Sequence, residues 1–135
     1  MQHNSNDNLV LKWLSNAHSD LLIAGIELPE GALYEQLCFH TQQAAEKSLK
    51  ALLLYLNIDF PFTHNIGLLI SFLPTTMQSI PELCNAAILT PYAVITRYPG
   101  EVELVSKEDY EESIDTASTI FNWINEYITN NLSGK

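Results

Sequence analysis

Four polar side chains recur at steps of three, four and three along one stretch of this chain: His40, Gln43, Lys47 and Lys50. On a helix, at about a hundred degrees per residue, they project side by side. Two ammonium groups, an amide and an imidazole in a row can contact a phosphate and hydrogen-bond the edge of a base; the plainer alternative is a solvated helix surface. A second candidate lies downstream, at Arg97-Tyr98-Pro99. Arg97 is the single arginine of the chain. Beside a tyrosine and held by a proline, it offers a planar five-donor fork and an aromatic face, suited to phosphate or to a stacked base. Solvent exposure is its plainer alternative, with Asp20 or Glu46 as a structural ion-pair partner. Asp20 and His64 are supporting candidates, whereas His18 reads as surface.

What positions the row is the run from Cys38 to Leu54. Cys38, Thr41, Ala44, Ala45, Ser48, Leu49, Leu52, Leu53 and Leu56 share one broad arc, wide enough to be core on two sides. Ala44, Ala45 and Ser48 allow a neighbouring helix to come close. The spacing predicts a central helix over residues 32–56. Before it, Val10, Trp13, Leu14, Ala17, Leu21, Ala24 and Leu28 alternate in threes and fours. They form a first amphipathic helix that stops before Pro29-Glu30-Gly31 and packs antiparallel on the central one. After it, Thr63 caps a short helix closed by Pro74, residues 75–79 read as loop or a ragged turn, Pro81 opens another helix, and Thr90-Pro91 begins a further turn or a kink. Ser106 and Asp109 resemble a capping box ahead of a last helix through Tyr110, Ile114, Ala117, Phe121, Ile124 and Ile128, ending near Asn130. No period-two run persists. The predicted fold class is all-α, an up-and-down bundle of four main helices plus short ones: one domain over residues 9–130, a frayed segment at 1–8 and a tail at 131–135.

Charge narrows the partners. A formal net charge of -10 repels polyanions over most of the surface, so extended nucleic-acid binding is not expected, although a local cationic pocket is compatible with it. Phosphate loops, nucleophile elbows and zinc or calcium patterns are absent. The four histidines, His3, His18, His40 and His64, lack metal-ligand spacing, so neither a metal nor another cofactor is expected. Cys38 and Cys84 read as reduced, buried thiols. With no secretory pattern and no apolar run of about 18 residues, a soluble cytoplasmic protein is expected.

The run Phe39-His40-Thr41-Gln42-Gln43-Ala44-Ala45-Glu46-Lys47-Ser48-Leu49-Lys50-Ala51, preceded by Asp20-Leu21-Leu22-Ile23-Ala24 and followed by Thr63-His64-Asn65-Ile66 and Arg97-Tyr98-Pro99, resembles the HEPN family. The name stands for higher eukaryotes and prokaryotes nucleotide-binding domain. The resemblance spans about residues 9–127. It implies a helical bundle that usually forms a homodimer, often encoded beside a minimal nucleotidyltransferase as a toxin–antitoxin or two-component pair. Members that cleave RNA carry an Arg followed after four to six residues by His. Here those positions hold Val102, Glu103 and Leu104, and no histidine follows His64. Arg97 could stabilise a charged phosphate, but the group that takes the 2'-hydroxyl proton is missing unless His40 or His64 supplies it. The expected function is a non-catalytic binding module that docks a nucleotidyltransferase and holds a nucleotide or small anion, with no catalytic residue assigned. An endoribonuclease and a ligand-free dimerising scaffold are the alternatives.

Overall fold

Helix α2 (Tyr34–Tyr55) is buried on nearly every side, and the other described helices pack around it. The computed structural model describes residues 5–93 and 104–133. Helix α1 (Ser5–Ala24) packs most extensively against α2, and α6 (Lys107–Ser133) covers another side. In place of a fourth long helix stand short pieces: α3 (Ile66–Ser71), α4 (Thr75–Gln78), α5 (Pro81–Cys84) and a 3-10 segment (Ala86–Ala93). Pro74 and Pro81 each open a single helical turn, whereas Pro91, expected to begin a further turn or a kink, lies inside the 3-10 segment. Residues 75–78, expected as loop or a ragged turn, form one of those turns.

The arc read from the sequence is the core. Ala44, Ala45, Leu49, Leu52 and Leu53 are fully buried, together with Val10 and Ala17 of α1 and Ile120, Ile124 and Ile128 of α6. Each buried leucine contributes roughly 1.5–3 kcal/mol relative to exposure. The small residues at the middle of α2 let α1 approach, and Ser48 returns its hydroxyl to the Ala44 carbonyl at 2.7 Å, so no polar atom is stranded there.

The chain reverses where local chemistry dictates. Helix α1 ends at Ala24, four residues before the expected Leu28, because Gly25 follows and the Tyr110 hydroxyl donates to the Ala24 carbonyl at 2.6 Å. Gly31, at φ +85, then completes the turn in which the Ala32 amide donates to the Pro29 carbonyl. Helix α2 ends in a left-handed cap: Asn57 has φ 60, its amide donates to Leu54, and Ile58 donates back to Leu53. Helix α3 is capped by Asn65, whose Oδ1 accepts from Leu68, rather than by Thr63; Thr63 instead accepts from the Asn65 amide. The capping box of α6 forms as read, with Ser106 and Asp109 accepting reciprocally from each other's amides at 3.0 and 3.1 Å. Cys38 is buried against Ser113, and burial pushes its thiol up; Cys84, expected inside, is exposed.

Candidate functional site

Two carboxylates organise the polar side of α2. Asp20, near the end of α1, accepts from Lys47 Nζ at 2.7 Å through Oδ2, and its Oδ1 lies 2.9 Å from His40 Nδ1. Antiparallel packing of α1 on α2 brings residues 20, 40 and 47 together. Elsewhere on α2, Glu46 does the same with a second set. Its Oε2 accepts from Lys50 Nζ at 2.9 Å, and its Oε1 accepts from Gln42 Nε2 at 2.9 Å and lies 3.0 Å from His64 Nδ1. His64 comes from the segment between α2 and α3, and its carbonyl also accepts from Gln42 Nε2 at 3.2 Å. Gln43 joins by donating to Gln42 Oε1 at 2.8 Å. The two carboxylates thus gather three members of the row directly, and Gln43 is tied to Glu46 through Gln42.

Their environments differ. The Glu46 and Lys50 side chains are 3% and 5% exposed, and the ammonium also lies 5.7 Å from the ring centre of Trp13 and 5.5 Å from that of Phe62. Burial pushes the Glu46 carboxyl up, but hydrogen bonds from Lys50, Gln42 and His64, with the charge of Lys50, outweigh it and hold the group below the usual carboxylate range. Glu46 is therefore an ion at neutral pH. Lys47 and His40 are half-buried, at 23% and 30% side-chain exposure, over an Asp20 that is 10% exposed.

This arrangement decides what each predicted residue can do. Lys50 belongs to the interior and is out of reach of a solvent-borne ligand. Gln43 is held by its neighbour. Lys47 keeps two of its three N–H donors beyond Asp20, and His40 keeps Nε2, so these two can still meet a ligand. With Nδ1 facing Asp20, a neutral His40 ring carries its lone pair on Nε2, the orientation a general base needs. Arg97 and Tyr98 lie outside the described residues. Asp20 and Glu46 ion-pair with Lys47 and Lys50 and lie within hydrogen-bond distance of His40 and His64, and Glu46 emerges as a hub that the sequence row passed over. Its signal is present in the spacing: Gln42, Glu46 and Lys50 are each four apart, the interval at which helical side chains meet. Among the described residues no cluster of histidine, cysteine and carboxylate could hold a metal ion, and no helix is long and apolar enough to cross a membrane.

Comparison with known proteins agrees with this architecture. No functionally curated protein matches the chain. The structure of TT1696 from Thermus thermophilus superposes with a TM-score of 0.71 at 30% identity, covering 88% of this chain and 98% of that one. That of ST0689, described as an archaeal HEPN homologue, gives 0.65 at 30% identity over 88% of this chain and 97% of its own. The family profile described as HEPN domain matches residues 10–127. On that span, and on a bundle shared almost end to end with both structures, the chain belongs to the HEPN family.

Proposed function

We propose that this chain is a non-catalytic HEPN binding module, a homodimer that docks a minimal nucleotidyltransferase as one half of a toxin–antitoxin or two-component pair and takes a small anion as ligand. One observation carries the non-catalytic part: the lysines of the α2 row are neutralised by the protein's own carboxylates, Lys47 by Asp20 and Lys50 by Glu46. A phosphodiester entering such a row meets no net positive charge from it, which suits a structural network better than an RNA-cleaving centre. Small-anion binding enters through the spare donors of Lys47. Family membership supports the partner, since modules of this kind resemble proteins encoded beside nucleotidyltransferases.

Co-expression with the product of the neighbouring gene, expected on this reading to be a minimal nucleotidyltransferase, followed by size-exclusion chromatography with light scattering, tests the docking. A complex containing two copies of this chain is the expected result, and separate elution of the two proteins overturns it. A second reading, the endoribonuclease, is favoured by the Asp20–His40 pair, which presents Nε2 as a base. Metal-free RNA cleavage lost in both His40→Ala and Arg97→Ala would establish it in place of the first.

A further inference from the structure

Three of the chain's six cations gather around one indole ring, although the protein carries a net charge of -10. Lys50 lies against Trp13 from inside, 5.7 Å from the ring centre. On the outside, a shallow groove of about 290 Å³ between α1 and α2 is lined by Leu9, Lys12, Trp13, Asn16 and Lys47. Lys12 forms no ion pair among the described residues, whereas Lys47 and Lys50 each have one carboxylate. Three ammonium groups against two carboxylates leave a single positive charge at the groove, and that charge sits on the exposed Lys12. Asn16 is fixed by its Nδ2, which donates to the Lys12 carbonyl at 2.9 Å, so its Oδ1 remains as an acceptor.

We infer that this groove binds a small phosphate monoester bearing a flat ring, with the phosphate on Lys12 and Lys47 and the ring against Trp13 and Leu9. Lysine acts as a mobile point charge that suits a doubly charged phosphate, and an indole next to a leucine side chain suits a planar group. Asn16 Oδ1 can accept one hydrogen bond from the ring's edge or from a hydroxyl. Size sets the upper limit: the volume is at the low end for ligand sites, so one aryl phosphate or one mononucleotide fits and a dinucleotide or a polymer does not. The inference rests on the small-anion part of the proposed function and is independent of the nucleotidyltransferase.

The chain has two tryptophans, and Trp123 stacks on Tyr127 outside the groove's lining, so Trp123→Phe makes Trp13 the sole tryptophan fluorophore in the full-length protein. AMP, phenyl phosphate, adenosine, phenol and inorganic phosphate are titrated against its emission, excited at the red edge to limit nucleotide absorption. Saturable change is expected with AMP or phenyl phosphate, and the tighter of the two tells a nucleoside from a simple aryl source. The ring alone and phosphate alone should each bind at least about tenfold more weakly, and Lys12→Glu should cost about tenfold or more, the scale of one charge-assisted contact. Asn16→Asp, which adds a carboxylate to the same groove, should weaken binding in the same direction. No saturable response up to about 10 mM, inorganic phosphate binding as tightly as its esters, or unchanged affinity in both groove variants would overturn the assignment. Lys12→Glu should still co-elute with the nucleotidyltransferase, so failure of the groove and failure of docking are read separately.

Discussion

Asp20 and Glu46 are built on one plan, each carboxylate bridging a lysine and a histidine, yet they do different work. Around Glu46 the lysine is interior and Gln42 takes a further carboxylate lone pair, so the charges are removed from water and the hydrogen bonds must all be made. The histidines reach the surface at both carboxylates, but around Asp20 the lysine does so too and keeps unused donors. Identical chemistry therefore gives a strut in one place and an accessible polar site in the other. What separates them is the covering: Trp13 and Phe62 lie against the Lys50 ammonium, while the groove beside Lys47 is open.

The contrast breaks first, and most heavily, at Glu46. Glu46→Ala leaves a buried ammonium without its counter-ion and should lower unfolding free energy by about 3–5 kcal/mol in urea titrations. Adding Lys50→Met to that variant should restore a large part of the loss, because the cost lies in the unpaired charge rather than in missing attraction. If Glu46→Ala costs no more than a surface substitution, the Glu46 pair is not the strut described above.

Acid sharpens the same difference. The folded Glu46 carboxyl titrates below its unfolded counterpart, so the unfolded chain takes up the proton first as pH falls. Its stabilisation is complete above the ordinary carboxylate range and is lost as pH drops through the lower folded value. Stability measured from neutral pH downward should fall across that window, and in Glu46→Gln the fall should be shallower. An unchanged acid limb in that variant would mean that other carboxylates set the slope.

The smallest effect belongs to the open site. Lys47→Ala leaves the mostly buried Asp20 with His40 and partial access to water, so it should cost about 1–3 kcal/mol, less than Glu46→Ala, and the loss should shrink as salt is raised from low to physiological strength. A loss there as large as that of Glu46→Ala would erase the distinction between strut and site.

Much of this was legible in the chain, and the reasons are local. The a/d-like recurrence of Leu49, Leu52 and Leu53, Pro74 and Pro81 at the starts of short helices and the Ser106–Asp109 box act within a turn or two, so spacing alone located those elements. The row of His40, Gln43, Lys47 and Lys50 does lie on one helix, as its spacing implies. Its meaning was harder to see, because a helical wheel shows which residues share a face and not what covers that face. Thr63 lost its role to Asn65 for a similar reason: both can cap a helix, and the turn geometry between them selects one.

The sequence by itself determined an acidic helical bundle with an apolar α2 at its centre, since periodicity and composition express local preference and overall hydration, and its motif run carried the resemblance to HEPN. Only the tertiary structure decided that Lys50 is interior while Lys47 is half open, that Asp20 and Glu46 are their counter-ions, and that Lys12 shares a groove with Trp13. Charge pairing and burial depend on distances between segments far apart in the chain, and those distances exist only once α1 and the His64 segment have closed over α2.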